Sequence, residues 1–130
     1  TFYTKGVHPE DFAQLLSLAT GIDFSLTEMV EATEREFSLE RSFNASEGIR
    51  RIDDYPYPFH YLLKHGKEQP RYDYSTFPFS LEDFDKLLDE YYRLRGYGLA
   101  TGIPTKQKLE SLGLKDVAED LTSRGCPLNL

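Results

Sequence analysis

Residues 79–96 decide the fold, and they read FSLEDFDKLLDEYYRLRG. Ser80 is a typical N-cap, Asp83 stands where a carboxylate closes a capping box, and Phe79 can pack on Phe84 as a hydrophobic staple. A terminal glycine supplies the stop. The apolar residues in between spread over an arc of roughly 160° at about 100° per residue, which is wider than a surface helix needs. The stretch therefore predicts a central helix.

The same kind of start signal recurs along the chain. Ser25 and Glu28 repeat the N-cap and capping box, and they predict a helix that runs to about Glu47. No segment shows sustained alternation of apolar and polar residues, and β-branched residues are few. We therefore predict an all-α fold of about five helices in one domain over residues 1–130. The other three predicted helices lie within residues 8–21, 105–112 and 115–122.

The stretch 53–79 interrupts the helical pattern. It holds four of the seven prolines and eight of the eighteen aromatic residues, a composition that polar linkers do not have. We predict an extended loop with one short helical turn at residues 59–64. Because a loop this long is uncommon inside a compact domain, its aromatic side chains are expected to pack on neighbouring domains.

Composition excludes several classes of protein. The chain has 130 residues, a net charge of −7 from 22 acidic and 15 basic residues, and one cysteine. A lone Cys126 cannot form an internal disulfide or hold a structural zinc or an iron–sulfur cluster by itself. The acidic excess argues against nucleic acid as a partner. No apolar run approaches the roughly 20 residues of a membrane span, so a cytoplasmic location is expected.

The second predicted helix changes character halfway along. The apolar stripe of its first half continues, at the same angular position, into Arg41 and Asn44. Leu39 and Phe43 lie nearly opposite. The second half is therefore expected to be covered on all sides.

Buried arginines need carboxylate partners. Asp53 or Asp54 can supply one to Arg41, and Arg95 on the apolar arc of the central helix has the same need. We predict that Arg41, Asn44, Asp53, Asp54 and Arg95 form a structural network inside the domain or at a domain boundary. A ligand-binding arginine is the alternative.

A metal or acid–base site is a weaker hypothesis. Asp53 and Asp54 could face His60 and His65, but no pair of ligands at helical spacing supports this. Cys126 lies in a Gly-Cys-Pro tail that is typical of a frayed end. No phosphate-binding loop or nucleophile elbow occurs. The residues themselves indicate no catalytic, cofactor-binding or metal-binding centre.

Several strings together resemble a known family. In this order and at these spacings they are similar to the C-terminal region of the aldehyde ferredoxin oxidoreductases, which are large tungsten-pterin enzymes. The resemblance runs from about Asp11 to Leu121. The strings are Ala19–Asp23 (ATGID), Leu39–Asn44 (LERSFN), Glu47-Gly48, Arg51-x-Asp53-Asp54, Leu88–Tyr97 (LDEYYRLRGY), Gly102–Thr105 (GIPT) with Leu109, and Leu112-Gly113-Leu114.

The resemblance implies a redox enzyme. The family oxidises aldehydes to carboxylic acids and passes electrons from a tungsten bis-molybdopterin centre through a 4Fe-4S cluster to ferredoxin. Its N-terminal domain holds the pterins on β-sheet, two helical domains follow, and the last of these would be this chain. The nearest cluster cysteine would fall just before Thr1, and Cys126 matches no ligand position. The expected partners are the N-terminal and middle domains and ferredoxin, and homo-oligomer formation is left open.

Two departures from the family indicate a divergent subgroup. Ser46 stands where the family often has arginine, and residues 56–59 (PYPF) replace a Pro-x-Arg-Phe string. We expect the chain to be an excised support domain that binds no metal and is inactive alone. The alternatives are a stand-alone helical interaction module and a related tungsten enzyme that acts on aromatic acyl thioesters.

Overall fold

Six α-helices and one short 3₁₀ helix make up the regular structure of residues 8–68, 73 and 79–128, the residues that this computed structural model describes. Among these residues the only β-type pairing is an isolated bridge between Tyr97 and Pro104. The all-α prediction is confirmed. The helices are α1 (Pro9–Thr20), α2 (Leu26–Ser46), the 3₁₀ helix (Arg51–Asp54), α3 (Tyr57–His65), α4 (Leu81–Arg95), α5 (Lys106–Ser111) and α6 (Lys115–Ser123).

The predicted start signals act as helix caps. The Ser25 amide donates to Glu28 Oε2 at 2.9 Å, and the Glu28 amide donates to Ser25 Oγ at 3.2 Å. At α4, the Asp83 amide donates to Ser80 Oγ at 3.1 Å. The predicted staple is present, since the rings of Phe79 and Phe84 stack with centroids 5.8 Å apart. Hydrogen bonds from Ser80 lower the pKa of Asp83, which suits a carboxylate in the first turn of a helix.

The stretch 53–79 contains more helix than the sequence predicts. The expected turn at residues 59–64 is a nine-residue helix, α3. Proline marks the start of this helix instead of breaking it, because Pro58 stands at the second helical position, where no intrahelical partner for an amide is lost. The predicted packing of 69–72 and 74–78 lies outside the described residues.

The described residues divide between Phe37 and Ser38 into two compact units, and α2 runs through both. In the first unit, the Phe24 amide donates to Ser17 Oγ at 2.8 Å and ties α1 to the start of α2. The only buried residue of α1 is Ala13. The apolar residues that recur at helical spacing on α1 are exposed: Phe12, Leu15, Leu16 and Ala19.

The second unit has two apolar clusters. Leu88, Tyr92 and Tyr97 form one of them, around α4. The other joins the end of α2 to α5, α6 and the tail; its members are Ala45, Ile103, Leu109, Ala118, Leu121, Cys126 and Leu128. The expectation of a frayed tail around Cys126 is wrong, because the Cys126 amide donates to Leu121 O at 2.9 Å and the side chain is buried.

The expected central position of α4 holds for one face only. Leu88 and Tyr92 are buried, whereas Leu87, Tyr91 and Leu94 of the same apolar arc are exposed. No helix among the described residues is long and apolar enough to cross a membrane.

Candidate functional site

Arg41 connects three segments of the second unit. Its Nη1 and Nη2 atoms bind the two carboxylate oxygens of Asp54, at 2.7 and 2.6 Å. Its Nε donates to the carbonyl of Gly102 at 2.7 Å. Only 13% of the Arg41 side chain is exposed, and 25% of Asp54. The predicted pairing of Arg41 with one of the two aspartates is therefore present, in the bidentate geometry that guanidinium favours.

Tyr92 completes this cluster from α4. It is almost fully buried, and its hydroxyl donates a short hydrogen bond to Asp54 Oδ2. Burial, together with the hydrogen bond to the Asp54 carboxylate, raises the pKa of Tyr92 well above its usual value. The phenol therefore stays neutral and keeps donating at neutral pH.

Gly102 brings the backbone up to this cluster. It lies in the turn between Tyr97 and Pro104, has φ +70°, and a Cβ atom there would lie 2.6 Å from the Tyr92 hydroxyl. Only glycine combines this conformation with so close an approach. The carbonyl that Arg41 binds is thus presented by a backbone without a side chain.

Arg51 forms a second centre beside the first. Its Nη1 donates to Asp89 Oδ1 at 2.6 Å and to the carbonyl of Leu99 at 2.7 Å. Its Nη2 donates to Asp85 Oδ1 at 2.5 Å, and its guanidinium carbon lies 5.3 Å from the centre of the Tyr92 ring. Burial alone would lower the pKa of Arg51, but hydrogen bonds, led by the one with Asp85, raise it overall.

Tyr55 extends this second centre. Its hydroxyl donates a short hydrogen bond to Asp85 Oδ1. That hydrogen bond and the one from Arg51 lower the pKa of Asp85, whereas burial and the Asp85 carboxylate raise the pKa of Tyr55. The 3₁₀ helix is in this way attached to α4 through charge-assisted hydrogen bonds.

Arg95, Asp53 and Asn44 are the remaining predicted residues. The guanidinium carbon of Arg95 lies 6.0 Å from the ring centre of Tyr91 and 5.9 Å from that of Tyr97. Asp53 accepts from the Arg50 amide at 2.9 Å and lies 3.5 Å from His60 Nε2. Asn44 is exposed. Leu39 and Phe43 are exposed as well, so the described residues do not cover the second half of α2 on all sides.

Comparison with known proteins identifies the family of this chain. Residues 1–114 match the family described as aldehyde ferredoxin oxidoreductase, domains 2 and 3. The chain belongs to this family. It is 31% identical over 115 residues to a tungsten-containing aldehyde ferredoxin oxidoreductase of Pyrococcus furiosus. The matched region is 88% of this chain and 18% of that relative. The corresponding enzyme of Thermococcus kodakarensis is 30% identical over 115 residues, again 88% of this chain and 18% of the relative.

A solved structure is similar too. The match is to the active-site complex BamBC of benzoyl coenzyme A reductase, bound to 1,5-dienoyl-CoA, with a TM-score of 0.71 and 31% sequence identity. It covers 93% of this chain and 16% of that one. This member of the aldehyde ferredoxin oxidoreductase family therefore spans less than a fifth of the length of each of these relatives.

Sequence reasoning missed most of the network. Arg51, Tyr55, Tyr92 and Gly102 are not among the predicted site residues, although three of them lie within the strings that carry the family resemblance and Tyr55 lies directly beside one. One usable signal was present: Asp85 and Asp89 are four residues apart, which places two carboxylates on one face of a helix. A face of that kind needs a cation, and Arg51 supplies it.

The network is suited to holding segments in place and offers little for chemistry. Each arginine is engaged by carboxylates and backbone carbonyls of the same unit. Among the described residues, no three His, Cys, Asp or Glu side chains gather as a metal site. The buried Cys126 thiol lies 3.8 Å from the carbonyl of Ala45. These residues do not fit a tungsten centre or an iron–sulfur cluster.

Proposed function

We propose that this chain is the C-terminal helical domain of a tungsten-containing aldehyde ferredoxin oxidoreductase. In the parent enzyme, aldehydes are oxidised to carboxylic acids at a tungsten bis-molybdopterin centre. Electrons leave through a [4Fe–4S] cluster to ferredoxin in the cytoplasm. The chain itself closes one side of the cofactor and substrate cavity and contributes no catalytic group.

The observation that carries this proposal is the similarity of 115 residues to tungsten-containing aldehyde ferredoxin oxidoreductases. The network around Arg41 and Arg51 supports the structural part of it. These two arginines join α2, the 3₁₀ helix, α4 and the turn at Gly102 into a fixed frame. A fixed frame is what a supporting domain requires, since a shift of about 1 Å in positioning can cost around a hundredfold in rate.

The test compares the 130-residue chain with its full-length parent. We expect the purified parent to contain tungsten and iron by elemental mass spectrometry and to reduce ferredoxin when an aldehyde is added. The 130-residue chain, purified in the same way, is expected to contain neither metal and to show no activity. Stoichiometric tungsten or iron in the short chain would overturn its role as a support without metal ligands.

A second candidate function follows from the similarity to BamBC. The parent would then be a related tungsten enzyme that acts on aromatic acyl thioesters, in an assembly of several subunits. The two candidates are separated by substrate. The parent is incubated with a strong reductant and benzoyl-CoA, and separately with an aldehyde and oxidised ferredoxin. Formation of a dienoyl-CoA without aldehyde oxidation would favour the second candidate.

A further inference from the structure

A groove runs between α2 and α6 on the surface of the second unit. Two exposed apolar side chains of α2 form one wall, Leu39 (47% exposed) and Phe43 (66% exposed). Val117 and Leu121 of α6 line the other side, and the groove has a volume of about 380 Å³. Large apolar side chains lining an open groove are typical of an interaction surface.

The inward face of α2 explains why these apolar side chains point outward. Ser38, Ser42 and Ala45 are the buried residues of the helix, and Arg41 lies on the same side, bound to Asp54. Small side chains there let the neighbouring segments approach the helix closely. The exposed Leu39 and Phe43 thus lie on a second, outward face of α2.

Carboxylates surround this second face. Glu47, Asp116 and Asp120 line the groove between α2 and α6. The single basic residue of that lining, Arg124, is already bound to Asp120, with Nε 2.8 Å from Oδ2. A second hollow of about 430 Å³ is lined by Leu39, Glu40, Phe43 and Asn44. The apolar wall therefore stands between groups of negative charge.

The charge pattern selects among possible occupants. A second copy of the chain would bring the same patch against itself, as twofold symmetry requires, and would place carboxylate against carboxylate. A segment with an apolar anchor flanked by lysine or arginine would satisfy both the apolar wall and the acidic rim. The matched region is only 18% of the length of the Pyrococcus furiosus relative, so a parent of that length has ample chain to supply such a segment.

We propose that the α2–α6 groove docks a basic segment with an apolar anchor from the preceding domains of the same polypeptide. Phe43 and Leu39 contact the anchor, and Glu47, Asp116 and Glu40 face the basic side chains. This inference rests on the proposed function, because it assigns the partner surface of the supporting domain.

The test measures how fast a cysteine at the groove reacts. Phe43→Cys is introduced into the 130-residue chain and into the full-length parent, and its maleimide labelling is followed by peptide mass spectrometry. Glu82→Cys, at an exposed position of α4, is the matched control. We expect labelling at position 43 to be at least tenfold slower in the parent than in the short chain, with a smaller change at position 82.

Charge reversal tests the basic character of the partner. Glu47→Lys with Asp116→Lys in the Phe43→Cys parent is expected to raise the labelling rate at least threefold. The matched reversal Glu82→Lys with Glu110→Lys is expected to leave it unchanged. Protection that survives the groove reversal would overturn the assignment of a basic segment. Protection that appears in the short chain and grows with its concentration would point to a second copy and overturn it as well.

The two proposals fail in different ways. A parent that holds tungsten and oxidises aldehydes, yet labels at position 43 as fast as the short chain does, would overturn the docking and leave the proposed function standing. A parent without tungsten or aldehyde oxidation would overturn the proposed function whatever the labelling rates are.

Discussion

At the scale of single residues, Arg41 has a large predicted effect on stability. Arg41→Ala leaves the Asp54 carboxylate partly buried beside Tyr92 without its cation. Removing one partner of a buried ion pair costs about 3–5 kcal/mol. We expect a loss of that order in the free energy of unfolding of the 130-residue chain, measured by chemical denaturation. The control Lys86→Ala breaks an exposed pair with Glu82 and should cost at most about 1 kcal/mol. An unchanged melting temperature for Arg41→Ala would contradict the buried pair.

Gly102 offers a second test at this scale. Gly102→Ala adds a Cβ into contact with Arg41 and Tyr92, at a residue with φ +70°. Gly113→Ala is a matched control, because φ is +73° and nothing lies within 4 Å of its Cβ. Both variants carry the left-handed cost of about 1–2 kcal/mol. Gly102→Ala should lose about 1–3 kcal/mol more through overpacking. Equal melting temperatures for the two variants would show that the turn can move away from α4.

At the scale of elements, the sequence predicts local features better than pairings between elements. Caps and stops lie within a few residues of one another, and α1, α2, α4, α5 and α6 were all found from them. The sequence predicts only a turn at residues 59–64 instead of all of α3, because Pro56 and Pro58 suggest a loop. Proline is also favoured at the start of a helix. The sequence predicts Asp53 or Asp54 as the partner of Arg41 because both follow α2 closely, and the structure has Asp54. Arg51 pairs with Asp85 and Asp89, which follow it by 34 and 38 positions. Local sequence spacing does not predict pairs that lie so far apart in the chain.

The attachment of the 3₁₀ helix to α4 should weaken at alkaline pH. The pKa of Tyr92 and that of Tyr55 are raised in the folded protein, so their contribution to stability is fully present below the unfolded pKa of about 10. It is lost as pH rises from there toward the folded pKa values, at no more than about 1.4 kcal/mol per pH unit for each tyrosine. We expect urea denaturation to show stability falling above about pH 10. Tyr92→Phe should lessen this slope, even though it removes a hydrogen bond at neutral pH.

Tyr57→Phe is the control for the alkaline slope. Tyr57 is an exposed residue of α3, and its replacement should leave the pH dependence as it is in the unaltered chain. If Tyr92→Phe and the unaltered chain lose stability with the same slope above about pH 10, ionisation of Tyr92 is not what weakens the attachment.

At the scale of the whole molecule, the chain has more apolar surface than its own core uses. The apolar arc of α4 predicts a central helix, but three of its residues are exposed: Leu87, Tyr91 and Leu94. α2 likewise presents Leu39 and Phe43 outward. Apolar periodicity shows which side chains favour burial, but it does not say which part of a protein covers them. This surplus is what a domain cut from a larger enzyme would show, and it agrees with the proposed supporting role.

The exposed apolar residues should therefore matter little to the chain alone. Phe43→Ser and Leu94→Gln, at positions 66% and 79% exposed, should each change the free energy of unfolding of the 130-residue chain by about 0.5 kcal/mol or less. Leu121→Ala, in the core, should cost about 2–5 kcal/mol. In the full-length parent, Phe43→Ser should lower the melting temperature, because there the side chain would contact the docked segment. A large loss from Phe43→Ser in the short chain would instead mean that Phe43 packs within the domain itself, and the groove would then have no free wall for a partner.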